Sequence, residues 1–505
     1  MATAPKEAVR RDRAVGAVVA SAAGDALGAP HEFGPALAES VALAMTGGGS
    51  FGWGPGEWTD DTQQAAAVLG PVAAGQRGDE LVAAVEAGLL RWFAAGPADV
   101  GGQTRAVLGR ARRGDGDLTS AAAAHQATHP DAAGNGSLMR TGPVALGALG
   151  HRAAVADTAA RLSALTHPHP DAVDACVLWS LAIEAAIGGP AGAPPDWVDL
   201  VAAGLDLVPE DRRDRWRGRL EACRTEPPEA FTPNGWVVAA LQAALAAIAQ
   251  TPVGGDGAQG EDGWPACLHL WRAIERVVRL GGDTDTVAAI AGALLGAHWG
   301  ASAVPVAWRR PLHGELVRGE PALTVVDLDR MARLAAAGGR PDGDGWPEIS
   351  SMRPHYRQAW AAPPLAVELV DGVRIGNVHA VPEVVDEVDA VVSLCRMGTE
   401  DVPPDVEHHV IGLLDTTLED NPNVVFVLAD TADLVQALVA EGRTVFLHCV
   451  QAQNRTPAAA AVYLVRHAGR EPAAALDEVE SLVHARPRRF LADAVHAVGR
   501  AGWTI

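Results

Sequence analysis

Two short acidic runs repeat one pattern of carboxylates and hydroxyls: Thr59-Asp60-Asp61-Thr62 and Asp283-Thr284-Asp285-Thr286. Each lies where a loop gives way to an alanine-rich apolar run. Four carboxylates crowded together repel one another and hold on to their protons. A cation relieves that repulsion. Oxygen ligands without neighbouring His or Cys favour a hard ion, Mg²⁺ or Mn²⁺ before Zn²⁺. If the fold joins the two runs, one site can hold two ions. Asp and Thr are also ordinary caps for a helix N-terminus, so each run alone reads as a cap too. The doubling of the pattern, and Gly281-Gly282 ahead of the second run, favour metal.

A second constellation lies near the C-terminus. Val445-Phe446-Leu447-His448-Cys449 reads as a buried strand, and Arg455-Thr456-Pro457 opens a helix after five intervening residues. A loop of that length turns its N–H groups toward an anion, with a helix N-terminus beneath. Cys449 as a thiolate is a nucleophile, Arg455 a forked clamp for phosphoryl oxygens, and Thr456 a hydrogen-bond donor to the sulfur. Asp415 precedes Cys449 by 449 − 415 = 34 residues and is the candidate acid, with Asp420 as the fallback. The bland readings are a strand-end cysteine with a coincidental arginine, or a phosphate-binding loop without turnover.

These groups need scaffolds. A chain of 505 residues with 48% hydrophobic and 20% charged residues predicts two or three globular domains. The net charge of −22, with Lys+Arg 40 against Asp+Glu 62, argues against a general nucleic-acid binder and leaves room only for a local basic pocket. Lys6 is the single lysine, so nearly every fixed cation is arginine, the better fork for phosphate. Cys176, Cys223, Cys267, Cys395 and Cys449 are odd in number and widely spaced, which predicts a reduced, cytoplasmic protein without disulfides. Met1 to Arg13 has no signal-like apolar core, and no charge-free apolar run is long enough to span a membrane.

Helical periodicity covers Gln63–Ala74, Leu81–Ala95, Val144–Ala164, Val173–Ile187, Val237–Ala249, Leu268–Leu280 and Val287–His298. This predicts an all-α domain over about residues 10–335, with surface insertions at Gly188–Pro195 and Pro252–Gly263. Residues 336–364 read as a linker. Beyond Leu365, apolar strand-like runs at Val373–Val378, Ala390–Leu394, His409–Leu413 and Thr444–His448 alternate with helices at Val424–Ala440 and Thr456–Arg466. Residues 365–505 therefore read as a small α/β domain, and the chain as multidomain.

The acidic runs belong to a longer ordered set. It comprises Gly24-Asp25-Ala26-Leu27-Gly28-Ala29-Pro30-His31-Glu32-Phe33, the first acidic run, Asp99-Val100-Gly101-Gly102-Gln103-Thr104-Arg105, Gly134-Asn135-Gly136-Ser137-Leu138-Met139-Arg140, Thr166-His167 and the second acidic run. Together they resemble the ADP-ribosylglycohydrolase family. That resemblance implies a di-magnesium centre in an all-α fold, with Thr59, Asp60, Asp61, Asp283, Asp285 and Thr286 as ligands. It implies Asp99 as an acidic position with a catalytic role and Glu32 as an acidic group near the metals. Asn135, Gly136, Ser137, Met139 and Arg140 would wrap ADP-ribose, with His167 beside them. Asp25 reads as a buried hydrogen-bond partner, and Gly24 and Gly28 as sites of close helix packing. Asp99 also reads as a turn residue, His167 as a loop histidine and Arg140 as a surface cation. The second constellation resembles the dual-specificity group of cysteine-dependent protein phosphatases. It departs from that group at Ala452, where a glycine is usual and where φ > 0 would strain alanine. The expected partners are an ADP-ribosylated protein or small molecule and a phosphorylated substrate. The alternative is a glycohydrolase alone, with a non-catalytic C-terminal module for phosphate or ADP-ribose.

Overall fold

A computed structural model of the chain describes residues 6–114, 116–190, 192–254 and 264–500. It divides into two compact units. The first holds residues 1–252, 269–304 and 308–340, and the second holds 253–268, 305–307 and 341–505.

Small residues organise the first unit. Helix α1 (Glu7–Gly28) carries Gly16, Ala20, Gly24 and Gly28 at intervals of four, which is one helix face. That face lies against a second buried helix, Thr284–Trp299, at Asp285, Ala288, Gly292 and Gly296. The backbones touch. A Cβ added at Gly24 would sit 2.3 Å from the Ala288 carbonyl oxygen, and one at Gly28 would sit 2.4 Å from the Asp285 Cα. Close packing at Gly24 and Gly28 is thus what the structure has. Around this pair stand α2 (Asp60–Ala73), α4 (Pro170–Gly188) and α5 (Val237–Gln250), with Thr284–Trp299 as α6 and Val325–Ala336 as α7, while α3 (Gly102–Arg112) packs on the helices Gly78–Ala94 and Leu118–Thr128. Helices α4 and α5 pack on α6, and α7 packs on α1 and α2.

Most helices lie where the apolar periodicity puts them. The run Val144–Ala164 is instead two helices, Val144–Gly147 and Arg152–Ala164, because Gly150 turns the chain at φ +83°. The helix Glu210–Ala222 escapes an apolar-period reading because its sequence is almost wholly charged, and it buries only Trp216 and Leu220. Of the insertion read at Pro252–Gly263, residues 255–263 lie outside the described residues.

The second unit contains a five-stranded sheet. Its strands are β1 (Ala366–Val370), β2 (Val373–Asn377), β3 (Ala390–Ser393), β4 (Glu407–Val410) and β5 (Val445–Cys449), in the order β1-β2-β5-β3-β4. Only β1–β2 is antiparallel. The central strand β5 is buried along its whole length, as expected of a parallel strand covered on both faces. Helices α8 (Val424–Ala440), α9 (Arg455–His467), α10 (Pro472–Val483) and α11 (Arg489–Arg500) complete it. Two expectations need correction. The strand read at His409–Leu413 lies at Glu407–Val410, because its pairing with β3 runs from Ala390↔Glu407 to Ser393↔Val410. The stretch read as a linker, 336–364, is no free connector from Pro341 on. Met352 and Tyr356 enter the second unit's apolar core, with Trp346 and Ile349 packed against it. Among the described residues, no helix is long and apolar enough to cross a membrane.

The α1–α6 contact makes a measurable demand on size. Gly292→Ala places a Cβ 2.2 Å from the Ala20 carbonyl oxygen and should cost about 3 kcal/mol in urea unfolding, as overpacking does. Gly218→Ala, on the exposed side of the helix Glu210–Ala222, meets nothing within 4 Å and should stabilise that helix by about 0.5–1 kcal/mol. Equal effects of the two substitutions would refute the contact.

Candidate functional site

The helix contact delivers carboxylates to one place. Asp25 lies in the last turns of α1 and Asp285 in the first turn of α6. Asp25 accepts the Thr59 N–H at 3.0 Å, the Thr62 N–H at 3.0 Å and the Thr62 hydroxyl at 2.5 Å. It thereby anchors the start of α2, and with it Asp60 and Asp61. Two oxygen clusters result: Asp25, Asp61 and Asp285, and Glu32, Asp283 and Asp285, each with ligand atoms within 4.8 Å of one another. Asp285 belongs to both.

Both runs sit at helix starts, but they cap differently. The Thr59 hydroxyl accepts the Asp61 N–H and donates to Asp61 Oδ2 at 3.2 Å. Thr286 donates to the same oxygen at 3.2 Å. Asp283 stands at the N-cap of α6 and makes no side-chain cap bond. Its Oδ2 instead accepts from Asn135 Nδ2 at 2.7 Å, while its N–H donates to Asn234 Oδ1 at 3.0 Å. The second run is therefore not explained by capping.

Burial and mutual repulsion push the acids up. Burial first, then Asp99, Asp283, Asp60 and Asp25, raise Glu32 to about 9. Burial raises Asp25 to about 6, against its hydrogen bonds. Asp60, Asp61 and Asp285 lie well above the carboxylate range, from burial and then neighbouring carboxylates. Asp283 is raised by burial despite its bond from Asn135, and Asp99, half-buried at the cluster's edge, is raised by burial and by Asp283. Glu32 Oε2 and Asp61 Oδ1 are buried without a hydrogen-bond partner. An all-oxygen donor set with orphaned carboxylate oxygens fits a hard divalent cation.

The glycine loop behaves only partly as the sequence suggests. Asn135 reaches the acidic cluster. A Cβ at Gly136 would meet the His167 ring at 3.2 Å, so the loop lies directly on that histidine. His167 is itself buried, its Nδ1 paired with Thr166 Oγ1 at 2.7 Å. Burial and Arg140 hold its pKa well below the usual value. Ser137, Met139 and Arg140 turn their side chains inward. Ser137 bonds Ser163, Met139 lines an apolar cavity, and Arg140 is 0% exposed. Arg140 is therefore neither a surface cation nor open to a pyrophosphate. It donates to Gln64 Oε1 at 2.8 Å and to Thr166 Oγ1 at 2.6 Å, and Gln64 Nε2 donates to Asp60 Oδ2 at 2.8 Å. Arg140 thus positions Asp60 through Gln64. Sequence reading left Gln64 and Asp25 out of the site. The Gly24-Asp25 pairing was the available signal, since a carboxylate beside a helix-contact glycine must be buried.

The second unit builds its own constellation. Cys449 ends β5 opposite Asn377, and Arg455 opens α9. Ala452, in the loop between them, stands at φ +56°, the left-handed conformation inferred for that position. Arg455 donates to the Leu394 carbonyl at 2.5 Å and to Leu413 at 3.2 Å, and its Nε is buried without a partner. Thr456 donates to the Gly376 carbonyl at 3.2 Å, so its hydroxyl is spent on β2 and not on the sulfur. Asn454 Nδ2 donates to Asp415 Oδ2 at 3.2 Å, tying the candidate acid to the loop. Ser393, absent from the sequence reading, bonds the His448 ring at 2.8 Å, and burial lowers His448 to about 3.

Similarity to known proteins bears on the first unit. The chain is 30% identical to the ADP-ribosylarginine hydrolase Tri1 of Pseudomonas putida, over 60% of this chain and 74% of that protein. It is also 30% identical to the ADP-ribosyl-[dinitrogen reductase] glycohydrolase of Rhodospirillum rubrum, over 61% of this chain and 92% of that protein. The solved structure of an ADP-ribosylglycohydrolase-related protein complex matches 65% of this chain and 99% of that chain, with 28% identity and a TM-score of 0.50. The profile described as ADP-ribosylglycohydrolase matches residues 6–342 and stops there. Joined to the carboxylate geometry of α1, α2 and α6, that match means the chain belongs to the ADP-ribosylglycohydrolase family.

Proposed function

We propose that the first unit is a magnesium-dependent hydrolase that releases ADP-ribose from a modified arginine of a protein, in the cytoplasm. The carrying observation is the pair of carboxylate clusters sharing Asp285. The arginine acceptor follows the Pseudomonas putida relative, an ADP-ribosylarginine hydrolase. Thr59, Asp60, Asp61, Asp283, Asp285 and Thr286, with Glu32, would hold two Mg²⁺ ions, and Mn²⁺ would suit the same oxygens. When bound, such ions grip vicinal hydroxyls and polarise water. The chain's own groups do the rest. Asn135 holds Asp283, Gln64 holds Asp60, and Gly136 rests on His167. Asp99, at the edge, is our candidate to take the proton of the attacking water. Carboxylates around the anomeric carbon stabilise its oxocarbenium character as the acceptor leaves.

For the second unit we propose a cysteine-dependent phosphatase acting on a phosphate monoester. The favouring observation is the loop from Cys449 to Arg455 with Ala452 already at positive φ and Asp415 tied to Asn454. Cys449 Sγ would bond to phosphorus as the P–O bond breaks, Asp415 giving its proton to the leaving oxygen. Water would then cleave the thiophosphate. A binding module for phosphate or ADP-ribose is the remaining alternative.

Asp285→Ala should abolish ADP-ribose release while circular dichroism stays helical. Full activity in that variant, or in excess chelator, refutes the metal reading. The pH dependence has a definite sign. Carboxylates whose folded pKa lies above the unfolded value bind more protons folded, so the metal-free protein loses stability as pH rises from the normal carboxylate range toward the raised values. Cations displace those protons. The melting shift produced by Mg²⁺ should therefore be larger at pH 8 than at pH 5.5, and an equal shift at both refutes the linkage. Cys449→Ser should abolish aryl phosphate hydrolysis by the whole protein while Asp285→Ala leaves it intact. A wild-type protein with no such activity from mildly acidic to neutral pH supports the binding module.

A further inference from the structure

One rim of the carboxylate site carries aromatic rings that folding does not explain. Phe33 follows Glu32 and sits at φ +60°, a conformation that costs a non-glycine residue about 1–3 kcal/mol. Two backbone hydrogen bonds hold the loop there. The Phe33 N–H donates to Gly282 O at 2.7 Å, and the Gly282 N–H donates to Gly34 O at 2.9 Å. Gly282 immediately precedes Asp283, so the loop bearing Phe33 is stapled to the start of the second acidic run. Phe33 nevertheless remains 64% exposed.

A second ring meets it from another segment. Phe51 stands edge-on to Phe33 at 6.3 Å between centroids. It lies in the turn of a hairpin closed by Gly48 and Trp53, which exchange hydrogen bonds of 2.7 and 2.9 Å. The buried Trp53 ring backs Phe51 at 6.1 Å. Gly49 approaches Ala29 so closely that a Cβ would lie 2.6 Å from its carbonyl oxygen. The hairpin is thereby seated on the segment leading to Glu32. Glu32 is 7% exposed, and its Oε2 is without a hydrogen-bond partner.

We infer that Phe33 and Phe51 form the acceptor-side subsite and select a guanidinium-linked ADP-ribose over an oxygen-linked one. The inference rests on the glycohydrolase reading. A guanidinium is flat, cationic and weakly hydrated, and it stacks on aromatic faces. The acidic cluster beside the rings supplies the complementary charge. A neutral serine acceptor gains neither interaction. Two rings kept exposed by a strained loop and a seated hairpin are pre-organised for such a contact.

The test compares wild type, Phe33→Gly, Phe33→Trp and Phe51→Ala in Mg²⁺. Substrates are ADP-ribosylarginine and a peptide carrying ADP-ribosylserine, and calorimetry gives the Kd of free ADP-ribose. Glycine suits positive φ, so Phe33→Gly removes the ring without adding strain. It should lower kcat/KM for the arginine substrate about tenfold, with Phe51→Ala also lowered. Phe33→Trp should stay near wild type, and the Kd of ADP-ribose should not move. An unchanged kcat/KM in Phe33→Gly, or a Kd that weakens as much as kcat/KM falls, overturns the subsite alone. So does a wild type that cleaves only the serine linkage. A wild type inactive on both substrates overturns the glycohydrolase reading with it.

Discussion

The contact between the backbones of α1 and α6 is the constraint from which the first unit's site follows. Glycine and alanine at every fourth position let the two helices meet without side chains between them. That proximity draws Asp25 and Asp285, near opposite chain ends of their helices, into one cluster. It also excludes water, so the carboxylates lose their hydration together. The same packing that builds the site makes it electrostatically costly. A cation is the economical partner, since one ion answers several carboxylates at once.

Capping and ligation are not rival explanations at the first acidic run. Thr59 caps α2 and also donates to Asp61, orienting the carboxylate while satisfying the helix. At the second run the balance differs. Asp283 gives up the cap that its position offers and takes a bond from Asn135 instead. The N-terminus of a helix favours negative charge in either case.

Local chemistry was legible in the sequence, and direction was not. The acidic runs declare themselves because paired carboxylates at a loop–helix junction need a reason. Ala452 stands out only through the resemblance, in which a glycine is usual at that position, and the chain there does take φ +56°. The side chains after Asn135 could not be read in the same way. A loop of short turns decides residue by residue which side chain faces inward, and there Ser137, Met139 and Arg140 fall on the buried side. Asp25 was legible as a buried hydrogen-bond partner, but its place in the carboxylate cluster depends on a partner helix 285 − 25 = 260 residues away in sequence. The Phe51 hairpin reads as glycine-rich loop, with nothing to announce that its aromatic would meet Phe33.

The buried Arg140 has an effect beyond neutralising charge. A guanidinium only donates, so the Gln64 oxygen must face it. The Gln64 amide then has only its NH₂ to offer Asp60, and that group settles on Oδ2. An amide that could otherwise rotate end for end is thus given one polarity by a residue that cannot change its own. The chain works as a ratchet on orientation. It consumes one lone pair of Asp60 Oδ2 on the protein side and leaves the other oxygen, Oδ1, outside that bond.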